Sequence, residues 1–283
     1  MIIWIASYPK SGNTWLRTLL SAYYYSKDGI FYNELIKEIG QFPEKRHFES
    51  FKYDPKSVIG TTYFWIKAQE KINQDKKLRF FKTHNVFGKI NNNSFTDKQN
   101  SLGCIYIIRD PRNVITSLSN HYELNYEDSL AWMINHKKYI FDNREGKDFG
   151  NFQFISSWSN NYKSWKIQKD LPIKIVRYED LLEKTFFVTR EIIEFVDKIS
   201  KSNQKLDVQK LRNSVNSTSF KKLQKNEKEK GFSEAIYSKN KKKMIPFFNL
   251  GPDNNWKNIL DKAFVKKLNE IFKKDLNEFN YFT

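Results

Sequence analysis

Four short apolar runs divide the chain and predict the strands of a buried sheet. They occupy residues 2–6, 78–81, 103–108 and 173–176. Each run is rich in β-branched or aromatic residues and is apolar at successive positions, as in parallel strands that are covered on both faces. A sheet of this kind needs helices on both of its sides.

Apolar residues at helical spacing predict helices between and after these strands. They recur from Trp15 to Tyr24 and from Val114 to Tyr122. Further helices are expected at residues 152–167, 181–199 and 256–279. The alternation predicts an α/β fold, with a central parallel β-sheet flanked by helices on both faces and right-handed crossovers.

The chain is expected to form a single domain, residues 1–283. No internal repeat and no linker rich in Pro, Gly or Ser interrupts it, and 39% of its residues are hydrophobic, enough for one substantial core. The very polar segment of residues 200–243 is expected to form loops or a cover on the same domain.

The net positive charge indicates an anionic ligand but does not identify which one. Lys and Arg number 49 against 32 Asp and Glu, a formal net charge of +17, which attracts anions such as nucleic acid, anionic membranes or phosphorylated small molecules. The aromatic residues lie mostly in the predicted strands and helices and not among surface lysines, which argues against nucleic-acid binding.

Two further features bear on the compartment. The single cysteine, Cys104, excludes an internal disulfide and is expected to be buried. The sequence shows neither a leader pattern nor an apolar stretch of membrane-spanning length. We therefore expect a cytoplasmic protein without stable membrane insertion.

The segment after the first predicted strand, YPKSGNTW, has the features of an anion-binding loop. A glycine permits an unusual turn, and the N-terminus of the following helix exposes N–H groups to an anion. Side-chain donors are added by Lys10, Ser11, Asn13 and Thr14. This is not a Walker A loop, because G-x-x-x-x-G-K-[ST] is absent and Lys10 precedes Gly12.

The other three strand ends also carry candidate groups, at the edge where open α/β sheets bind ligands. The second strand leads into FKTHN, in which Lys82 and His84 point to the same side. This histidine accepts a proton or is structural, and the residues leave both readings open. The third leads into RDPRNVITSLS, where Arg109 is able to hold a phosphate bidentately and Ser117 follows on a helix. The fourth is followed by Tyr178, suited to contacting a base.

These four segments, in this order, resemble sulfotransferases that use 3′-phosphoadenosine 5′-phosphosulfate (PAPS), most closely their cytosolic-type branch. YPKSGNTW resembles the 5′-phosphosulfate loop of that family, and IYIIRDPRNVITSLSNHY its 3′-phosphate motif. FKTH and VRYEDLL resemble the segments that carry its catalytic histidine and its adenine-contacting tyrosine, and NSTSFKKLQKN resembles a further cofactor-contacting stretch. The resemblance covers Met1 to about Asp261 and implies a three-layer sandwich like that of P-loop NTPases.

The resemblance implies in-line transfer of a sulfuryl group from PAPS to a hydroxyl or amine, with adenosine 3′,5′-bisphosphate (PAP) as product and no metal. The implied catalytic roles are Lys10 at the leaving oxygen, Lys82 at the sulfuryl group, His84 as general base, and Ser117 beside Lys10 or the 3′-phosphate. The implied cofactor-binding residues are Lys10, Ser11, Gly12, Asn13, Thr14, Trp15, Arg109, Ser117, Tyr178, Thr218, Phe220, Asn249 and Gly251. The other histidines, His47, His121 and His136, are expected to be structural or exposed.

One segment departs from the family pattern. Where the family has approximately Arg-Lys-Gly, this chain has Asn249, Leu250 and Gly251, so a basic pair that grips the 3′-phosphate is missing. The lysines upstream either supply that charge from a loop or form a solvated basic run, and both readings are open. They are Lys239, Lys241, Lys242 and Lys243.

Two questions stay open at this stage. The alternative function is a nucleotide-dependent small-molecule kinase with a P-loop-like fold, for which Asp110 is the only candidate for an acidic magnesium ligand at a strand end. The acceptor, a small molecule or a glycan, is expected to contact residues 41–65 and 141–152, whose aromatic side chains line a pocket or pack inside. The oligomeric state is not predicted.

Overall fold

The structure is a computed structural model that describes residues 1–141, 148–238 and 242–282. Its strands are β1 (Ile2–Ala6), β2 (Arg79–Thr83), β3 (Lys89–Ile90), β4 (Asn93–Ser94), β5 (Ser101–Ile108), β6 (Tyr139–Ile140), β7 (Gln153–Phe154), β8 (Ile173–Arg177), β9 (Ile236–Ser238) and β10 (Lys243–Ile245). Four of them form the central parallel sheet, in the order β2-β1-β5-β8. The others pair antiparallel as β3 with β4, β6 with β7, and β9 with β10.

Helices connect and cover these strands. They are α1 (Asn13–Tyr25), α2 (Val58–Thr62), α3 (Trp65–Ile72), α4 (Pro111–Tyr122), α5 (Tyr126–Ile134), α6 (Trp158–Ile167), α7 (Tyr178–Glu183), α8 (Thr185–Ser200), α9 (Val208–Ser217), α10 (Phe220–Lys230), α11 (Trp256–Ile259), α12 (Lys262–Ile271) and α13 (Lys273–Glu278). Short 3₁₀ helices lie at Asn33–Glu38, Lys45–His47, Asn73–Asp75, Phe149–Asn151 and Gly251–Asp253.

The two faces of the central sheet belong to different apolar clusters because side chains alternate along each strand. Trp4 of β1 packs with residues of α4, α5, α6, α12 and α13 on one face. Ile3 and Ile5 pack with residues of α1, α7 and α8 on the other. The predicted α/β sandwich, with helices on both faces, is therefore confirmed.

The strand register brings the carboxyl ends of the central strands together at one edge. Ala6, the last residue of β1, lies beside Thr83, the last residue of β2. On its other side β1 pairs with β5, which ends at Ile108 beside Arg177 of β8. The segments that follow these four strands therefore meet at a single edge of the sheet.

The prediction of loops for residues 200–243 is wrong, because this segment contains α9, α10 and β9. Both helices are polar on most of their surface, and each is anchored by few apolar side chains. Leu211 of α9 is fully buried, and Leu223 is the buried residue of α10. A narrow apolar stripe on a charged surface helix gives little signal against a background rich in lysine.

Three predicted helices differ in extent because caps and breaks divide them. α6 begins only at Trp158, where the Ser157 hydroxyl accepts a hydrogen bond from the backbone N–H of Asn160. The helix expected at residues 181–199 is divided at Lys184 into α7 and α8. The one expected at residues 256–279 is three helices, and Asp261 caps the second of them. No helix in the described parts of the chain is both long and apolar enough to cross a membrane.

Candidate active site

A cavity of about 1260 Å³ opens at the edge where the four central strands end. Its wall contains almost all of the site residues predicted from the sequence. These are Lys10, Gly12, Asn13, Thr14, Trp15, Lys82, His84, Arg109, Ser117, Tyr178, Phe220, Asn249 and Gly251. Segments that are far apart in the chain thus contribute to one site.

The loop after β1 turns sharply into α1 and holds polar atoms without partners. Its backbone has positive φ at Lys10 (64°) and at Gly12 (99°). A Cβ atom at Gly12 would lie 2.4 Å from Cδ2 of Tyr178, so only glycine fits there. No side chain caps α1, and the buried Ser11 Oγ has no hydrogen-bond partner among the described residues. The loop therefore presents free hydrogen-bonding groups next to a helix N-terminus.

Asn13 braces this loop through its side-chain amide. Its Nδ2 donates to the carbonyl oxygen of Ile5 at 2.9 Å and to Ser7 Oγ at 3.2 Å. Its Oδ1 is buried without a described partner. The amide therefore ties the loop to the end of β1, and the N–H donors that sequence analysis assigned to Asn13 are used inside the protein.

Lys10 lies in the cavity wall with its ammonium group against an aromatic ring. The Nζ atom is 4.2 Å from the centroid of the Phe247 ring, a cation–π distance. Burial, opposed by Glu234 and aided by the positive charges of Lys82 and Arg109, lowers the pKa of Lys10 to about 7. A bound anion would restore the charged form.

A carboxylate that sequence analysis did not identify, Glu234, lies among the cationic groups of the cavity. Its Oε2 accepts a hydrogen bond from the Thr14 hydroxyl at 2.7 Å. Its Oε1 pairs with Arg17 Nη1 and lies 3.8 Å from Lys82 Nζ. Burial alone would raise the pKa of Glu234, but the charges of Arg17 and Lys82 and these hydrogen bonds outweigh it and lower the pKa. Glu234 is therefore ionised and paired.

His84 is fixed at the end of β2 by hydrogen bonds to its ring and to its backbone. Its Nδ1 lies 2.7 Å from the carbonyl oxygen of Ser7. Because a carbonyl only accepts, Nδ1 carries the proton and Nε2 is the acceptor of the neutral ring. The backbone N–H donates to Gln153 Oε1 at 2.7 Å, and Asn161 Nδ2 donates to the His84 carbonyl at 2.9 Å. Burial, with the nearby charge of Lys82, lowers the pKa of His84 to about 3.

Arg109 lies between the anion loop and α4. Its Nη1 donates to the carbonyl oxygen of Lys10 and to Ser117 Oγ, both at a long 3.4 Å. Its guanidinium lies 4.1 Å from the centroid of the Tyr178 ring. Its Nε is buried and has no hydrogen-bond partner among the described residues, although burial of an unpaired donor is costly. The Ser117 hydroxyl also accepts from Asn254 Nδ2 at 2.9 Å.

Two aromatic residues flank the same part of the cavity, and Thr218 supports one of them from behind. Trp15 contacts Tyr178 edge to face, with centroids 5.7 Å apart. The indole Nε1 of Trp15 donates to the carbonyl oxygen of Thr218 at 3.0 Å. Thr218 is fully buried, its hydroxyl donates to the Ser214 carbonyl, and it is not in the wall. Its position thus favours a supporting role over direct contact with a ligand.

The segment that departs from the family pattern also borders the cavity. Asn249 and Gly251 lie in the wall, and Gly251 packs against the Phe220 ring. Lys242 and Lys243 are exposed and lie outside the wall, so their positions do not favour a role in binding. The two other lysines considered above, Lys239 and Lys241, lie outside the described residues.

A second histidine, His121, lies in the cavity wall. It follows Ser117 by one turn of α4, and its ring contacts the rings of Tyr122 and Phe247, with centroids 4.7 and 6.0 Å apart. The same helix face holds Ser117 and His121, a signal that was available from the sequence. His47, in contrast, is structural, because its Nδ1 accepts from the backbone N–H of Glu44. His136 is exposed, as expected.

Aromatic side chains in addition to Trp15 and Tyr178 line the cavity. They include Tyr122, Trp132, Tyr139 and Phe141, and Phe247 contacts Lys10. The segments expected to contact the acceptor contribute less than predicted. The first provides Gln41, Glu44 and Arg46, and the second provides Phe141 and Asn151, while its residues 142–147 lie outside the described parts.

Asp110, the acidic residue on which the kinase alternative depends, is committed to other contacts. It caps α4 by accepting from the backbone N–H of Arg112, and both of its oxygens accept from the Arg112 guanidinium. It is buried and lies outside the cavity wall. No group of three or more His, Cys, Asp or Glu side chains that could hold a metal ion occurs in the described residues.

Comparisons with known proteins agree with the motifs. The model of the family described as the sulfotransferase domain matches residues 2–280. The chain is 24% identical to luciferin sulfotransferase of Photinus pyralis, over 99% of this chain and 72% of that protein. It is 22% identical to sulfotransferase 1A1 of Rattus norvegicus, over 98% of this chain and 85% of that protein.

Solved structures show the same fold. Retinol dehydratase in a complex with retinol and PAP has a TM-score of 0.61 at 16% identity, covering 97% of this chain and 81% of that chain. A mouse sulfotransferase complexed with PAP has a TM-score of 0.57 at 18% identity, covering 97% of this chain and 83% of that chain. At such identities the likeness concerns the fold alone.

Proposed function

The chain belongs to the sulfotransferase domain family, and from this premise we propose that it transfers the sulfuryl group of PAPS to a hydroxyl or amine of a small molecule, releasing PAP. The observation that carries the proposal is the convergence of Lys10, Lys82 and His84 on one cavity at the ends of two adjacent strands. Two cationic groups for an anion and one neutral base beside them are what sulfuryl transfer requires.

The groups available in the cavity fit the two anionic ends of PAPS. The uncapped N-terminus of α1, with Lys10, Thr14 and Lys82, suits the 5′-phosphosulfate. Arg109 and Ser117 suit the 3′-phosphate, and the unpartnered Nε of Arg109 is a donor still to be satisfied. Because residues 249 and 250 are not basic, we assign the binding of the 3′-phosphate to Arg109 and Ser117. Trp15 and Tyr178 flank the part of the wall that would receive the adenine.

Bound PAPS supplies an activated sulfuryl group, and the chain supplies the acid–base and electrostatic steps. His84 Nε2 accepts the proton of the acceptor hydroxyl or amine, because Nδ1 is held as a donor by the Ser7 carbonyl. The low pKa of about 3 makes the free ring a weak base. Burial is the main cause of this low pKa, and an anion in the cavity raises the pKa by offsetting the charge of Lys82.

Lys10 stabilises the negative charge that develops on the leaving phosphate oxygen. Its pKa of about 7 means that its proton is held loosely until an anion lies beside it. Lys82, which lies two residues before His84 in the chain, orients the sulfuryl oxygens. The interaction of Lys10 is strongest when charge has moved onto the leaving group, which is how a preorganised site lowers a barrier.

The aromatic side chains of the cavity wall favour a small organic acceptor over a glycan. Tyr122, Trp132 and Phe141 offer apolar ring faces of the kind that line pockets for small organic molecules. One relative is named for luciferin, and one structural neighbour was solved with retinol. A cytoplasmic location is the expectation that accompanies this assignment.

Calorimetric titration with PAP in the presence of a chelator is the first test. We expect binding without metal, whereas ATP with magnesium and a short oligonucleotide should not stabilise the fold in a parallel thermal-shift experiment. Stabilisation by ATP only when magnesium is present would support the kinase alternative. The second test is transfer from labelled PAPS to a panel of phenols, alcohols, amines and glycans. Absence of PAP binding and of any transfer would contradict the proposal.

A further inference from the structure

The cationic groups proposed to bind the 5′-phosphosulfate already contact other side chains of the protein. Glu234, four residues after the end of α10, accepts from the Thr14 hydroxyl at 2.7 Å and forms ion pairs with Arg17 and Lys82. Its carboxylate is therefore bound by one hydroxyl and two cations. An anionic group of a ligand at the same place would make the same contacts.

The partners of Glu234 overlap with the groups proposed for the 5′-phosphosulfate. Thr14 lies in the first turn of α1, and Lys82 lies in the wall at the end of β2. Neither is free to bind another anion at full strength while the carboxylate holds it. Arg17 is pinned as well, because its Nε donates to the carbonyl oxygen of Ile39 at 2.9 Å. Arg17 thus stays in place whether or not Glu234 is there.

Lys10 also contacts the part of the chain that follows α10, which contains Glu234. Its ammonium group faces the ring of Phe247, and the backbone N–H groups of Phe247 and Phe248 donate to Glu227 of α10 at 2.6 and 2.9 Å. The segment on both sides of β9 and β10 thereby provides a contact for each of the two lysines. A nucleotide that uses both must replace both contacts.

We propose that Glu234 is an internal anion that competes with the 5′-anionic group of the nucleotide for Thr14, Arg17 and Lys82, and so sets the affinity of the enzyme for its nucleotide. This inference rests on the proposed function. The nucleotide binds only the fraction of molecules in which the carboxylate has moved away, so its apparent affinity falls by that fraction. After sulfuryl transfer the carboxylate returns to Lys82 and favours release of PAP.

The test compares two nucleotides on three proteins. Dissociation constants for PAP and for adenosine 3′-monophosphate, which has no 5′-phosphate, are measured for the wild type, for Glu234→Gln and for Glu229→Gln. Glu229 lies on the exposed side of α10, where it pairs with Lys225, so its substitution changes the net charge equally without touching the cavity. Each titration also gives a binding stoichiometry, which accounts for any misfolded fraction of a variant.

We expect Glu234→Gln to bind PAP about tenfold more tightly than the wild type, with affinity for the 3′-monophosphate changed less than about twofold. Glu229→Gln should match the wild type for both nucleotides. Unchanged or weaker PAP binding by Glu234→Gln would overturn the inference, because the carboxylate would then support the cationic groups without competing. Equal tightening for both nucleotides would overturn it too. Failure of the wild type to bind PAP at all would instead contradict the proposed function.

Discussion

The Nζ atom of Lys10 lies 4.2 Å from the centroid of the Phe247 ring, so the lysine of the anion loop contacts an aromatic face in the cavity wall. Burial there lowers its pKa to about 7. The residue therefore titrates in the range in which enzymes usually work, and the binding of an anion beside it is coupled to the uptake of a proton.

PAP affinity should fall as the pH rises from about 7 to 9, by at most about tenfold per pH unit, because one proton is taken up on Lys10. The lysine is charged below its pKa and neutral above it, and only the charged form attracts the phosphate. A phosphate monoester, with a second pKa of about 6, is already mostly ionised at pH 7 and changes little above it. Calorimetry in two buffers of different ionisation enthalpy would measure the proton uptake. The slope should vanish in Lys10→Met and persist in Lys222→Met, on the exposed side of α10, and a flat wild-type profile would contradict the assignment.

Substitution of Arg109 by alanine should weaken PAP binding by about ten- to a hundredfold, the cost of losing a charge-assisted hydrogen bond to a phosphate. Adenosine 5′-monophosphate has no 3′-phosphate, so its affinity should change much less. Arg190→Ala on α8, which removes an exposed arginine paired with Glu194, is the matched control. An equal loss for both nucleotides would mean that Arg109 supports the loop in general and does not bind the 3′-phosphate.

Substitution of His84 by alanine should lower the single-turnover rate at saturating PAPS by about a hundredfold or more, since a general base typically contributes that much. Affinity for PAP should stay nearly constant, because the proton in question belongs to the acceptor. Lys10→Ala should harm both quantities. His136→Ala, on an exposed residue outside the wall, serves as control. Near wild-type turnover by the His84 variant would make this histidine a structural residue and require another base.

Gly12→Ala should destabilise the fold more than Gly231→Ala does. Both positions have positive φ, 99° and 73°, so both substitutions carry backbone strain of about 1–3 kcal/mol. Only at Gly12 does the added Cβ meet another group, Tyr178 Cδ2 at 2.4 Å, whereas nothing lies within 4 Å of it at Gly231. Thermal unfolding of the two variants measures the difference. Equal unfolding temperatures for the two variants would show that the loop moves away from Tyr178 without loss of stability.

The sequence identified the parts of the site that follow strands. Lys10, Lys82, His84, Arg109 and Tyr178 line one cavity, because parallel strands bring their carboxyl ends to one edge. The motifs also indicated the family, which the comparison with its model confirms. These successes depend on local patterns, namely short apolar runs and the residues directly after them.

The sequence did not identify groups that reach the site from elsewhere. Glu234 is a single acidic residue in a polar segment, and its contact with Arg17 joins positions 217 residues apart. Thr218 matched a family motif, but its side chain turns inward to Ser214. Which face of a polar helix meets the cavity depends on packing across the whole domain, and no local periodicity records it.

The reactivity of the single cysteine can report how often the central sheet opens. Cys104 lies fully buried in β5, between β1 and β8, and burial raises the pKa of its thiol. A thiol-labelling reagent reaches it only when the middle of the sheet separates. The labelling rate under native conditions therefore reports how often the sheet opens. Slower labelling with a nucleotide present would measure ligand binding without any acceptor in hand.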